Sequence, residues 1–93
     1  MKKVNFEELL NDTVLAEYLE SLSLDYEVEL LQIENSDMFY FNDLQDSSNN
    51  TEMTLYDFAK WFYDDIEWKV EYGLIDSWLG IEEYSKLKEF LGK

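Results

Sequence analysis

The sequence predicts a small α+β domain in which helices cover one face of a β-hairpin or small antiparallel sheet. Three observations predict this class. The 93 residues, 1–93, fit one domain, and 46% of them are apolar, enough for a core. The apolar spacing also changes along the chain, from three and four residues to two and back again. The predicted order of elements is therefore α(α)ββαα.

Capping residues and apolar spacing predict the first two helices. Asn5 is a typical N-cap residue, and Glu8 stands where its capping-box partner would lie. A second helix, or a continuation of the first, is predicted over 13–22, because its apolar residues recur at intervals of three and four. Those residues are Val14, Leu15, Tyr18, Leu19 and Leu22.

Apolar residues then alternate with carboxylates over 24–30, which predicts a strand with one buried and one acidic face. The acidic face carries Asp25, Glu27 and Glu29. A hairpin turn is predicted over 34–37, with Glu34 and Asp37 in it. A short aromatic strand is predicted over 38–41, and a polar, mobile loop over 45–52.

The strongest helix is predicted to begin at Thr54, with Asp57 as its capping partner, and to end at Gly73. Its predicted inner stripe is Leu55, Phe58, Ala59, Phe62, Ile66 and Val70. A last helix is predicted over 81–91, with Gly92 as its stop.

A second aromatic stripe, Trp61, Trp68 and Tyr72, follows the predicted long helix. We expect it to pack under the last helix and the segment around Trp78, within the core. The alternative is that part of it is exposed, where aromatic side chains would serve as anchors in a protein interface.

Composition excludes several kinds of chemistry. The chain has 7 lysines, 22 acidic residues and neither cysteine nor histidine, for a net charge of −15. It therefore has no disulfide, thiolate nucleophile or imidazole base. Because the chain has no arginine and few lysines, we do not expect it to bind phosphates, and direct nucleic-acid binding is not predicted. We predict no enzymatic activity, no cofactor and no metal site.

Targeting signals are also absent from the sequence pattern. No run approaches the roughly 20 apolar residues that a membrane span requires, and an acidic surface is repelled by anionic lipid. The prediction is a cytoplasmic protein, in the host cytosol if a phage encodes it, with no membrane partner, as a monomer or homodimer.

The position of the charges is more informative than their number. Residues 4–59 contain 14 acidic side chains and no basic one. Surfaces selected only for solubility usually mix the two signs, and dense like charges destabilise a compact state. The alternative interpretation is that each acid lies on the ordinary solvent face of a strand or helix.

The charge density is close to that of DNA. A domain of this length is roughly 30 Å across, and a duplex of equal length carries about 18 phosphate charges. Carboxylates on alternate strand residues would be about 6.7 Å apart, close to the spacing of successive phosphates along a strand. On the long helix, Asp57, Asp64 and Glu71 would repeat about every 10 Å.

The sequence resembles the DNA-mimic inhibitors of phages and mobile elements. These include anti-CRISPR proteins, anti-restriction proteins and uracil-DNA glycosylase inhibitors. The resemblance rests on a short acidic chain without cysteine or histidine, a helix-plus-hairpin layout and an uninterrupted acidic tract over 4–59. The resemblance implies binding at the groove in which an enzyme such as a Cas nuclease receives DNA.

Three functions remain open on the sequence alone. The first is such an inhibitor, whose partner is a basic nucleic-acid-binding protein. The second is an immunity protein or antitoxin that neutralises a basic nuclease toxin, and the third is an adaptor that binds through exposed aromatic residues. The predicted partner-binding residues are Asp25, Glu27, Glu29, Glu34, Asp37, Asp57, Asp64, Asp65, Glu67 and Glu71.

Overall fold

The computed structural model describes residues 2–73 and 81–93. Within these ranges, helices pack against a four-stranded antiparallel sheet, so the predicted α+β class is confirmed. The elements are β1 (Lys2–Lys3), α1 (Phe6–Leu9), α2 (Thr13–Asp25), β2 (Val28–Gln32), β3 (Phe39–Asp43), β4 (Thr51–Met53), α3 (Leu55–Glu71) and α4 (Ile81–Phe90). A single 3₁₀ turn, Ser47–Asn49, precedes β4.

The sheet has the strand order β1-β2-β3-β4, and its centre is the predicted hairpin. Leu30 pairs with Phe41 across β2 and β3, and the chain reverses between Gln32 and Phe39. The two short edge strands were not predicted. The prediction of a polar loop over 45–52 is wrong for its last two residues, because β4 begins at Thr51 and pairs with β3.

The core lies between one face of the sheet and the helices. Its fully buried large side chains come from three helices and one strand: Leu19, Phe41, Phe58, Phe62 and Leu87. Phe58 lies at the centre of this group. Its ring centroid is 5.7 Å from that of Phe6, 5.9 Å from Phe41 and 4.9 Å from Phe62.

Helix α3 has the boundaries that its sequence predicts. The Thr54 hydroxyl accepts a hydrogen bond from the backbone N–H of Asp57, and the Asp57 carboxylate accepts one from the N–H of Thr54, which completes a capping box. The helix ends at Glu71 with Tyr72 as its C-cap, and Gly73 follows with a φ of 71°. Four of the six predicted inner residues are buried, and Leu55 and Val70 are half-buried.

Helix α4 packs beside α3 and α2. The ring of Tyr84 stacks on that of Tyr63 with 5.8 Å between their centroids, and Leu87 and Leu91 are buried. Trp78 and the side chain of Ile81 lie outside the described residues.

Candidate functional site

The predicted acidic ladder of Asp25, Glu27 and Glu29 is wrong. Helix α2 continues to Asp25 and Tyr26 is its C-cap, so β2 begins only at Val28. Between them Glu27 adopts a left-handed conformation with a φ of 54°. The helix extends over these residues because side chains at intervals of four, such as Leu22 and Tyr26, also face the core. The Tyr26 ring packs at 5.3 Å from Phe62.

Glu29 does lie on β2, but its carboxylate is engaged within the protein. One oxygen lies 3.6 Å from the Lys3 ammonium, and the other accepts a hydrogen bond of 2.8 Å from the Asn42 amide. Asn42 in turn accepts one of 2.9 Å from Asn50. These side chains form a polar network across the open face of the sheet, so Glu29 is poorly placed to meet a partner.

Two predicted acids of α3 are also paired. The Lys60 ammonium lies 2.8 Å from Asp64, and the Lys69 ammonium lies 2.9 Å from Asp65. Asp65 also accepts a hydrogen bond of 2.6 Å from the Tyr26 hydroxyl. Partial burial pushes the pKa of Asp65 up, but Tyr26 and Lys69 outweigh it and lower the pKa below its ordinary value. This cluster ties α2 to α3.

The remaining predicted acids fall at two ends of the molecule. Glu34 and Asp37 are exposed in the β2–β3 turn. Asp57 lies near that turn, because α3 starts directly after β4, whose Met53 pairs with Phe39 at the start of β3.

The other group, Asp25, Glu27 and Glu71, lies towards the opposite end of the hairpin. The five residues of β2, about 17 Å long, separate Glu27 from the turn. Contact between Tyr26 and Asp65 brings the second half of α3 to this end, where Glu71 is exposed. Glu67 is half-buried on the same half of the helix. The predicted acids are therefore not brought into one continuous row.

Sequence reasoning missed an acidic groove between α1 and α2. The groove has a volume of about 610 Å³, and its lining includes no positive charge among the described residues. It is lined by Val4, Asn5, Phe6, Glu7, Ala16, Glu17, Glu20 and Ser21. The spacing of Glu17 and Glu20 on the outer side of α2 could have indicated an acidic face. Nothing in the sequence pattern indicates that α1 folds back beside it.

We call the exposed carboxylates of α1 and α2 the acidic helix face: Glu7, Glu8, Glu17, Glu20 and Asp25. None of them takes part in the lysine–carboxylate pairs found within residues 2–73 and 81–93. The carboxylate on these helices that is paired is Asp12, the N-cap of α2, which lies 3.4 Å from Lys86. The acidic helix face is thus the largest group of exposed, unpaired carboxylates on consecutive elements in the part of the chain that the structure describes.

The aromatic stripe divides into a packed and an exposed part. Trp61 is half-buried, with its ring 5.0 Å from Phe41 and 5.6 Å from Tyr26. Trp68 and Tyr72 are 52% and 64% exposed, and their rings lie 5.0 Å apart. Trp61 packs against the core, as expected, but on rings of α2 and β3. The expectation is wrong for the other two: Trp68 comes two residues after the buried Ile66 and therefore projects from the opposite side of α3, and Tyr72 is exposed at the end of the helix.

Adding salt is expected to raise the melting temperature, since screening weakens repulsion among excess carboxylates more than it weakens the four partly exposed lysine–carboxylate pairs of residues 2–73 and 81–93. Relief of about 1 kcal/mol would raise Tm by about 4–8 °C in a domain of this size. Thermal melts over a series of NaCl concentrations at neutral pH measure this. The increase should shrink near pH 4, where carboxylates become protonated. A lower Tm in salt at neutral pH would contradict net repulsion.

Within residues 2–73 and 81–93, no three acidic side chains come together in a way that could hold a metal ion. None of the described helices is both long enough and apolar enough to cross a membrane.

Comparisons with models of protein families, with curated proteins and with solved structures each found no match to this chain.

Proposed function

We propose that this protein is an acidic inhibitor that imitates nucleic acid and blocks the cationic groove of a nucleic-acid enzyme such as a Cas nuclease. The observation that carries the proposal is the acidic helix face. Its carboxylates stand on two adjacent helices and are left unpaired by the lysines in the described part of the chain.

A rigid acidic surface suits a groove built for phosphates. Phe6 anchors α1 by stacking on Phe58, and Leu15, Ala16 and Leu19 bury the inner side of α2. Because both helices are packed in this way, the backbone positions that carry their outer carboxylates keep a fixed spacing, so only the side chains need ordering on binding. A net charge of −15 would also attract a basic partner over long range and speed association at low salt.

The predicted acids contribute unequally to this surface. Asp25 belongs to the acidic helix face, and Glu27 and Glu71 extend the negative surface at the same end of the molecule. Glu34, Asp37 and Asp57 would form a second contact at the turn end. Glu29, Asp64 and Asp65 are assigned no direct contact, because lysine side chains already pair with them.

The adaptor function is the second candidate, because Trp68 and Tyr72 are exposed. The two functions differ in their dependence on charge. Partner binding by a nucleic-acid mimic is lost on charge reversal, whereas binding by aromatic anchors alone is nearly unaffected. An immunity protein would share the electrostatics of the inhibitor, and its partner would be a nuclease toxin.

The test is inhibition of purified enzymes by the purified protein. The panel would contain a Cas nuclease with its guide RNA, a restriction endonuclease, uracil-DNA glycosylase and a basic nuclease toxin. We expect at least one enzyme to lose DNA or RNA binding, measured by fluorescence anisotropy, and activity, with inhibition that weakens as salt increases. Inhibition of none of them by micromolar protein would contradict the proposal, and inhibition of the toxin alone would favour the immunity protein.

Reversing three charges of the acidic helix face should raise the inhibitor concentration needed for half inhibition on the order of 100-fold, since like charges would then meet in the groove. The variant is Glu7→Lys, Glu17→Lys, Glu20→Lys. The matched control, Glu52→Lys, Glu82→Lys, Glu89→Lys, has the same formal charge but changes other exposed positions. Equal losses in both variants would show that total charge, not this face, determines binding.

A further inference from the structure

Four of the six exposed large apolar side chains in the described residues lie at one end of the molecule. Leu24, Leu44, Trp68 and Tyr72 are 69%, 62%, 52% and 64% exposed. We call this group the apolar end. Clusters of exposed apolar side chains on a soluble protein mark interaction sites more often than isolated ones do.

Contacts around Tyr26 bring together the chain segments that carry these side chains. Leu24 is in the last turn of α2, two residues before Tyr26. Leu44 follows β3, and its backbone N–H donates a hydrogen bond of 3.0 Å to the carbonyl oxygen of Glu27. The Tyr26 hydroxyl reaches α3, where it donates to Asp65 and accepts from the Lys69 ammonium at 3.2 Å. Trp68 is the neighbour of Lys69 in the chain, and Tyr72 is one turn further on.

The aromatic pair is held in position before any partner binds. Its two rings contact each other at 5.0 Å with an angle of 44°. The Lys69 ammonium also lies 4.6 Å from the centroid of the Tyr26 ring, which fixes this part of α3 against the end of α2. Aromatic side chains presented on a rigid element are the commonest sources of binding energy in protein interfaces.

The rim of the apolar end selects the kind of partner. Exposed carboxylates lie close in the chain to three of its four members: Asp25 beside Leu24, Asp46 two residues after Leu44, and Glu71 beside Tyr72. We call these carboxylates the acidic rim. Lys69, which also lies here, already pairs with Asp65. A second copy of this protein would bring two acidic rims together, at a cost in affinity, and an anionic membrane would be repelled. The partner that complements the apolar end is therefore a protein whose surface has an apolar centre surrounded by lysine or arginine side chains.

We infer that the apolar end is a docking surface for a basic protein, with Trp68 and Tyr72 as its anchors and the acidic rim as the complement to surrounding lysine or arginine side chains. The inference rests on the proposed function only for the identity of that protein as a nucleic-acid enzyme. Its apolar anchors add a source of affinity that salt does not screen, unlike the contacts of the acidic helix face and of the rim itself.

Three synthetic peptides test the inference on the intact protein. The first, the lysine–leucine peptide, carries lysine and leucine on opposite sides of a helix. The second is polylysine with the same number of lysines. The third, the glutamine–leucine peptide, is the first peptide with glutamine in place of every lysine. At physiological salt we expect the lysine–leucine peptide to bind at least about tenfold more tightly than either of the others. The indole N–H signal of Trp68, assigned with the Trp68→Phe variant, should shift on binding of the lysine–leucine peptide to the unmodified protein.

The double variant Trp68→Ala, Tyr72→Ala should lose the preference for the lysine–leucine peptide over polylysine. The matched control is Tyr56→Ala, which removes an aromatic residue that is 43% exposed near the opposite end of α3. Equal affinity for the lysine–leucine and polylysine peptides, or an unshifted Trp68 signal, would overturn the inference. The inference would also be overturned if the glutamine–leucine peptide bound as tightly as the lysine–leucine peptide. The same holds if sedimentation showed that the unmodified protein dimerises and the double variant does not.

The docking surface and the proposed function can fail independently of each other. If none of the enzymes is inhibited but the lysine–leucine peptide shifts Trp68, the proposed function fails and the docking surface stands. If an enzyme is inhibited and all peptides bind alike, the docking surface fails and the proposed function stands.

Discussion

Replacing Phe58 by alanine is expected to lower the free energy of unfolding by about 3–5 kcal/mol. Its side chain is fully buried and packs against rings from α1, β3 and its own helix. Small domains have a total stability of about 5–15 kcal/mol, so the variant should lose a large fraction of its stability. Urea denaturation followed by far-UV circular dichroism, at one fixed salt concentration, measures the change.

The matched control is Tyr72→Ala, which removes an aromatic side chain that is 64% exposed at the end of the same helix. Its effect should stay within about 0.5 kcal/mol. A loss below about 1 kcal/mol for Phe58→Ala would contradict the position of Phe58 at the centre of the core.

The long helix could be predicted from the sequence because its signals are local. Thr54 and Asp57 fix its start through hydrogen bonds three residues apart, and Gly73 ends it by adopting a positive φ. The inner stripe follows from the period of the helix alone. None of these signals depends on a distant part of the chain.

The boundary between α2 and β2 could not be predicted in the same way. From Leu22 to Leu30 every second residue is apolar, yet Leu22 and Tyr26 also fit the period of a helix. What decides is the packing of Tyr26 on Trp61 and Phe62, which are more than thirty residues away in the sequence. The edge strands were missed for a related reason, since two or three residues carry no measurable period.

The sign of the surface could be predicted, but its arrangement could not. The sequence shows an acidic tract over 4–59, whereas only the fold shows which acids the lysines pair with. Lys3 on β1 pairs with Glu29 on the neighbouring strand β2, and Lys86 on α4 pairs with Asp12 at the start of α2. These distant pairings leave the acidic helix face unpaired and remove Glu29 from the predicted surface.

Asp43 organises the loop between β3 and β4, although the sequence did not single it out. It is the buried carboxylate among the described residues. One of its oxygens accepts hydrogen bonds from the backbone N–H groups of Gln45, at 3.0 Å, and Asp46, at 3.2 Å. The other oxygen accepts one of 2.9 Å from the Asn49 amide. The segment expected to be a mobile loop is thus tied to the end of the sheet.

Replacing Asp43 by alanine is expected to cost about 1–3 kcal/mol at neutral pH, because three donors lose a charged acceptor. The loss should depend on pH. The Asn49 amide, helped by the two backbone N–H groups, outweighs the effect of burial and holds the pKa of Asp43 below its ordinary value of 3.8. A carboxyl group whose pKa is lower in the folded state stabilises the fold above the unfolded-state pKa, and that contribution is lost as the pH falls through the folded-state pKa.

The difference in unfolding free energy between the unmodified protein and Asp43→Ala should therefore be constant above about pH 5 and shrink below about pH 4. Urea denaturation at a series of pH values measures it. Glu34→Ala is the control, because it removes the same charge from an exposed turn and should change stability by no more than about 0.5 kcal/mol. If the two variants lose equal stability, or if the Asp43→Ala difference grows as the pH falls, the carboxylate does not hold the loop through its ionised form.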